Sequence, residues 1–509
     1  MNPDVQIAFS SGAKEAADRS ARFTLPIILT AAALLYLTLA LAVTWTRTPI
    51  DDDAFYASAA YNLYAHGFTG TTIYESAGLL FPGVEHRTYT YPPLHMVVQA
   101  GWYKLVGFGI RQMRLNSVLW GLLVLAAWCV IVRKLVGNTA IAALTVLMLA
   151  ADYTVAMTAT LGRMSMMSAA LEFGAIAFYL SCRKNDLRRA LLLSNTCAML
   201  AGLTHPLAGV LAVVNLGFLA LWFDRRNLRW RHAGYVLLPY LIGATGWGLY
   251  IAKDPKTFVA QFTASAAQGR RLNGISNPVA AIVSELRDRY LGYYGFTATK
   301  KDPRVLLLFS YLVGGASAIA LPSIRRRPEY RVLAGLTVIS FVTMVLIEGT
   351  KQRVYMIHTI PFLVMGAAAF AYWLWLQGSA RRALAIAFVS IFVLLHVAAI
   401  GYRVILNPYA KQYTPVVEYV RPMARTGALI MGPPQLRFEL GFDTNLLYDS
   451  DLGSISGKVP ALIVLDNQSR FTMTSEWEAN PARGARARAV LERYHLIFRL
   501  GEYEVYEPN

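Results

Sequence analysis

Charged residues are scarce in this chain: only 15% of its 509 residues are Asp, Glu, Lys or Arg, against 56% that are apolar. With a mean hydropathy of +0.41, a soluble globule of this length has no means of hiding so much apolar surface, and the composition places the chain in a bilayer. Cysteine is nearly missing as well. Cys129, Cys182 and Cys197 fall within or at the ends of apolar runs, which excludes a disulfide framework and any zinc-ligand spacing and leaves them as packing residues. There is no glycine-rich phosphate loop, no internal repeat and no low-complexity segment. Acidic residues are outnumbered by basic ones, 30 to 48, for a net charge of +18. The excess sits in short clusters between long apolar runs, a pattern that belongs to membrane topology and points away from nucleic acid.

Runs long enough to cross the hydrocarbon occur at 23–46, 115–132, 139–157, 164–181, 190–204, 207–223, 234–251, 304–321, 332–347, 354–376 and 383–405, which predicts about eleven transmembrane helices. The first is too long for the core of a cleaved signal peptide and lacks an obvious cleavage site, so it reads as a retained anchor. A further apolar segment, 93–107, is short and holds His95, Gln99 and Lys104. Charge decides its place. If it lies on the surface, the short loops on the N-terminal side of the membrane carry 19 Lys and Arg and those on the opposite side carry 3. If it crosses, the asymmetry inverts. The positive-inside rule therefore makes it an interfacial helix, with the N-terminus cytoplasmic and the C-terminus outside. The expected organisation is a cytoplasmic tail at 1–22, a transmembrane domain at 23–405 with external loops at 47–114 and 252–302, and a small extracytoplasmic α/β domain at 406–509. In the second loop, Asn277-Pro278 reads as a cap followed by proline at the first helical position. In the tail, ALIMG, ALIVLD and HLIFRL read as short strands around an Arg-rich helix near 482–494.

Immediately after the first run comes Pro49-Ile50-Asp51-Asp52-Asp53-Ala54-Phe55-Tyr56. Three adjacent carboxylates at a membrane surface repel one another, so a cation or a bound proton is expected beside them. In the bland reading they are solvated residues capping the helix that follows. In the functional one they supply a general base or a cation site at the membrane face. Since the outer side is otherwise poor in positive charge, basic and hydrogen-bonding residues at the outer ends of other runs stand out. These are Arg163 in LGRMSM, His205 in GLTHP, and Lys351, Arg353, Tyr355 and His358 in EGTKQRVYMIH. Singly, each is more often a snorkelling or helix-ending residue than a ligand; together they suit an anionic group such as a lipid phosphate. Asp152 and Glu172 lie inside apolar runs, where an unpaired carboxylate costs several kcal/mol. Asp152 is expected near the outer face, and Glu172 as a structural carboxyl bonded to a neighbouring helix.

The DDAFYA stretch, the NLY-x-HG run after it, YPPLHMVVQAGWYKLVG, the LGRMSM turn and the GLTHP turn resemble, in order and placement, the polyprenyl-phosphate-sugar-dependent glycosyltransferases of the GT-C fold. The likeness is greatest to the bacterial relatives of protein O-mannosyltransferases (family 39) and of the lipid A aminoarabinose transferase, and it covers roughly residues 23–405. In that family a carboxylate of the first external loop, usually in an Asp-Glu pair, acts on the acceptor nucleophile. The resemblance implies Asp52 as base, Asp53 assisting it or binding the acceptor, and Asp51 as an extra acid. The aminoarabinose transferase carries an acid and a lysine before its Pro-Pro pair. Here Thr90-Tyr91 precede Pro92-Pro93, so those two roles do not carry over, and Glu85, His86 and Arg87 are near enough in sequence to take their place. The donor phosphate falls to Arg163, His205, Lys351 and Arg353. Asp51, Tyr56, Glu85, His86, Arg87, Tyr91, Asp152, Tyr355 and His358 are the candidate substrate-binding residues. Where some relatives have Lys, His205 binds phosphate less strongly when neutral.

The chemistry that the resemblance implies is sugar transfer from a polyprenyl-phosphate donor, with cations holding the charge that develops on the leaving phosphate. A carboxylate on the opposite side takes the acceptor proton, and a single displacement inverts the anomeric centre. The acceptor is a protein hydroxyl, lipid A, another glycolipid or a wall polymer, and the expected location is a bacterial inner membrane. No cofactor is implied. Three aspartates suffice to touch a divalent cation, but no second ligand cluster supports one. The competing reading is a polytopic transporter or flippase, which more often shows internal repeats and little extramembrane mass. A third reading, a recognition module on a membrane anchor, requires far fewer spans than eleven.

Overall fold

Apart from 139–157 and 354–376, each of the eleven apolar runs lies on one helix. The computed structural model describes residues 11–75, 81–268, 270, 273–297 and 302–509, with side chains from Leu25 onward. Residues 1–10 of the expected cytoplasmic tail lie outside the described residues, as do short pieces of both expected external loops. Six helices are long and apolar enough to cross a membrane by themselves: Leu25–Thr46, Ile110–Val136, Ser165–Cys182, Pro206–Asp224, Pro328–Ile347 and the helix that starts at Ser379. Two shorter apolar helices, Val305–Ala320 and Ile360–Trp375, and the helices Leu187–Thr204 and Ala233–Ile251 complete the set with one bent pair. The chain is a polytopic α-helical membrane protein.

Local signals set the helix ends. Gly137 in the left-handed region closes Ile110–Val136, and Asn138 then caps the next helix by accepting from the Ile141 amide at 3.0 Å. Asp186 caps Leu187–Thr204, and Pro206 opens the helix after it from the first position, where its missing N–H costs nothing. Asn277 caps Pro278–Ser284 through Ala280 at 3.1 Å, as its Asn-Pro pair suggests. The run at 139–157 departs from expectation. It is broken at Asp152 into Thr139–Ala151 and Tyr153–Ala159, bent by 59°. Asp152 itself makes the break: its Oδ1 accepts from the Val155 amide at 2.9 Å, while Tyr311 donates to its Oδ2 and His396 Nδ1 stands 3.5 Å away.

The segment at 93–107 is the helix Leu94–Val106, 13 residues long. At 1.5 Å per residue it rises only about 20 Å, short of a hydrocarbon core of about 30 Å. It packs instead against the helix Asp51–Ala65, with His95, Gln99 and Tyr103 buried.

The C-terminal residues form a five-stranded mixed sheet of β1 (Ile430–Met431), β2 (Leu446–Leu447), β3 (Leu462–Leu465), β4 (Tyr494–Leu500) and β5 (Tyr503–Pro508), in the order β2-β1-β3-β5-β4. β1 lies parallel to both β2 and β3, and β5 is antiparallel to β3 and β4. Helices Asn467–Ala479 and Pro481–Leu491 cover one face through Met473, Trp477 and Ala487. The sheet is joined to the first loop by backbone: the Glu75 amide donates to Tyr448 O at 3.0 Å and the Tyr448 amide to Ile73 O at 2.8 Å. Lys458 Nζ to Glu75 Oε2 at 2.5 Å adds a charged tie.

Candidate active site

The helix Asp51–Ala65 begins at a residue, Ile50, whose side chain has no acceptor to offer. Its first amides are served by the acids instead: Asp53 Oδ2 accepts from the Ile50 amide at 3.3 Å and Asp51 Oδ1 from the Asp52 amide at 2.8 Å. Three carboxylates in a first turn also sit at the positive end of the helix dipole. Beyond that shared start, the structure gives the three acids different surroundings.

Asp53 is 0% exposed. Its Oδ2 pairs with Arg114 Nη2 at 3.1 Å and its Oδ1 accepts from the Gly162 amide at 2.8 Å. Arg114, equally buried, also donates to the carbonyls of Thr44, Arg47 and Thr48 at 3.1, 2.8 and 3.0 Å. Asp53 therefore ties the end of the first helix and the start of Ile110–Val136 to the turn that presents Arg163. It has no open surface, and its observed partners are Arg114 and the Gly162 amide.

Asp52 is the open acid, with 37% of its side chain exposed, and it pairs with Arg163 Nη1. Arg163 reaches the other way to Gln352 Oε1 at 3.2 Å and lies over the ring of Tyr56, 5.5 Å from its centroid. Tyr56 packs edge-on against Tyr91 at 4.9 Å. Asp51 carries the third carboxylate. Burial, then the neighbouring Asp52 and more distantly Asp466, push its carboxyl up to about 7, against the pull of the Asp52 amide and Arg163. The stress expected of three adjacent acids thus settles on Asp51.

The cations expected on the donor phosphate divide. Lys351, held with φ of 54°, is paired with Glu285 at 3.1 Å. Glu285 also binds Arg289 at 2.9 Å, and Arg289 binds Glu348, a buried four-residue ionic network. His205 Nε2 meets Tyr355 Oη at 3.1 Å, and Arg289 lies 6.0 Å over the Tyr355 ring. His358 pairs with Glu172, fully buried, as the structural reading of Glu172 expects. Arg353 differs. It is exposed, lies 5.9 Å over the Tyr293 ring, and has no carboxylate partner among the described residues. Nearby Arg47 donates to Met157 O at 2.7 Å. Burial, then the charge of Arg114, with Arg353 and Arg403 behind it, pull Arg47 down to about 10 despite Asp53. Arg353 itself stands one residue along from Gln352, the partner of Arg163.

Other expected residues fall elsewhere. Arg87 is tied by its backbone to the second loop: Gln261 donates to the carbonyls of Pro82 and Arg87 at 2.9 Å each and accepts from the Tyr89 amide at 2.7 Å, while His86 Nε2 stands 3.8 Å from Glu85 Oε1. Asp152 lies at the helix break, with Tyr311 and His396 as its partners. Arg47, Arg114, Gln352, Glu285 and Arg289 were not anticipated. Arg114 stands one residue before the apolar run at 115–132, so its position at a span end was a usable signal; Gln352 and Glu285 gave none. Among the described residues no group of three or more His, Cys, Asp or Glu is placed to hold a metal ion.

No family's sequence model matches the chain, and no curated protein matches it by sequence. Solved structures do match. ArnT from Cupriavidus metallidurans in the apo state superposes with a TM-score of 0.58 at 15% identity, over 96% of this chain and 98% of that one. The same protein bound to undecaprenyl phosphate gives 0.51 at 16% identity, over 94% and 97%. The oligosaccharyltransferase AglB from Archaeoglobus fulgidus, in complex with an inhibitory peptide and a dolichol-phosphate, gives 0.55 at 11% identity, over 96% of this chain and 74% of that one. Identities so low speak to architecture alone, and the architecture agrees from the first helix through the C-terminal sheet: this chain has the GT-C fold.

Proposed function

We propose that the chain is a membrane glycosyltransferase that moves a sugar from a polyprenyl-phosphate donor to an acceptor hydroxyl on the non-cytoplasmic face, in a bacterial inner membrane. One observation carries the reading. Asp52, the open acid of the three, is paired with Arg163, and Arg163 also reaches Gln352, the residue before the exposed Arg353, which has no carboxylate partner among the described residues. The two neighbours in fold lend support, since one was solved with undecaprenyl phosphate and the other with dolichol-phosphate.

In this reading Arg353, backed by Arg47, holds the donor phosphate, and Tyr293 gives Arg353 a flat surface on which to rest. As the bond between the anomeric carbon and the phosphate oxygen breaks, negative charge grows on that oxygen and the fixed guanidinium groups stabilise it. The acceptor oxygen bonds to the anomeric carbon from the opposite side and its proton passes to Asp52. Arg163 turns from Asp52 toward the phosphate as the donor enters, which frees the carboxylate to accept that proton. One displacement inverts the anomeric centre. Lys351 and His205 serve from behind, through Glu285 and Tyr355, by fixing the segment that carries Gln352 and Arg353.

Asp52→Asn tests this. Membranes carrying that variant are expected to contain folded protein at the wild-type level yet transfer no radiolabelled sugar from a polyprenyl-phosphate donor; transfer at the wild-type rate removes Asp52 as the base.

A further inference from the structure

The helices that bring cations to the site lead away from it to a shared cavity. Ile110–Val136 starts near Arg114 and ends beside Lys134, Ser165–Cys182 leaves the Arg163 turn and ends before Arg183, and Pro206–Asp224 runs from His205 to Phe223. Pro328–Ile347 runs the other way, reaching Glu348 and Lys351 from a start at Pro328. Their far ends enclose a cavity of about 350 Å³ whose lining includes Lys134, Arg183, Lys184, Trp222, Phe223 and Glu329. That volume falls in the range of ~300–1,000 Å³ typical of ligand pockets. Ser165–Cys182 alone, at 18 residues, rises about 27 Å, so the cavity lies a membrane thickness from Asp52 and is no part of that site.

Its charges are not balanced internally. Arg183 is committed to Asp224 through Nε at 2.7 Å and Nη2 at 3.1 Å, and stacks on Phe223 at 4.3 Å. Lys134 and Lys184 are exposed, and neither pairs with a carboxylate among the described residues. Glu329 alone offsets them in part. The lining also has an apolar part: Trp222 is 47% exposed, on a helix apolar enough to cross the membrane. Two ammonium groups and an indole on one lining suit a molecule with an anionic head and a hydrocarbon tail.

We propose that this cavity binds the headgroup of an anionic phospholipid, with the phosphodiester between Lys134 and Lys184 and the acyl chains along Trp222. A zwitterionic headgroup brings its own cation into the field of the two lysines and binds less well.

The test is native mass spectrometry of the full chain, delipidated in detergent and titrated with phosphatidylglycerol or phosphatidylcholine. Phosphatidylglycerol is expected to bind at least about fivefold more tightly, and the double variant Lys134→Gln/Lys184→Gln to bring the two lipids close to parity. A control, Arg325→Gln/Arg326→Gln, removes two charges from the loop before Pro328 outside the lining and is expected to keep the preference. Equal binding of the two lipids by the wild type overturns the proposal, as does an equal loss in the control. Glycerol 3-phosphate is the soluble competitor: displacement of the lipid by an equimolar amount would assign the cavity to a soluble phosphate and overturn the lipid assignment.

Discussion

Asp51, Asp52 and Asp53 are one residue type repeated three times, and one helical turn sends them to three fates. The turn places Asp53 inward against Arg114, Asp52 outward toward Arg163, and leaves Asp51 in the shared field. Removing one partner of a buried ion pair leaves an uncompensated charge, typically a loss of about 3–5 kcal/mol. Asp53→Ala is therefore expected to lower the thermal unfolding temperature in detergent markedly, whereas Asp52→Asn unfolds close to the wild type. The converse pattern would mean that Asp53, not Asp52, is the exposed chemical group. The triplet was plain in the sequence. Its division of labour was not, because it depends on Arg114, 61 positions from Asp53, and on a turn at Gly162 that donates a backbone amide, which no side-chain pattern records.

At the scale of elements, hydrophobic run length was enough to locate the eleven helices, since a bilayer leaves a segment of about 20 apolar residues few alternatives. Breaks inside a run were harder to see. Asp152 signalled one, since an acid amid apolar residues suits a helix cap better than a helix interior, but it was read as a ligand. In the C-terminal region the three apolar runs became β1, β3 and β4; β2, two residues long, and β5, rich in tyrosine and glutamate, escaped because neither shows an alternating pattern of useful length. The first loop has its own constraint. A side chain added at Gly70 would come within 2.1 Å of the Glu85 carbonyl oxygen, where the parallel bridge between Thr69 and Arg87 brings two strands of loop together. Gly70→Ala is expected to cost about 1–3 kcal/mol, as overpacking does, visible as a lower unfolding temperature. An unchanged temperature would show that the loop relaxes freely.

For the whole molecule, the expectation that matters is sidedness. The charge asymmetry predicts that the basic helix ends around Lys134 and Lys184 face the cytoplasm and that Asp52 and the C-terminal sheet face the far side. A phosphatase reporter fused after Asn407 is expected to be active outside the cytoplasm and one fused after Asn185 to be silent. A reversed pair would invert every face assigned above. The sidedness expectation depends only on counts of Lys and Arg; the pairing of cations with acids was not legible in the sequence, because it is set by contacts between distant segments.

The join between the first loop and the sheet also bears on how the protein is made. Ile73 and Glu75 leave the ribosome hundreds of residues before Tyr448, the residue whose backbone they bond. Until that late segment has been synthesised, the loop waits without its partner and the edge of β2 does not exist. A nascent chain halted anywhere in the helical part therefore holds Asp52 and Arg163 with no sheet beside them.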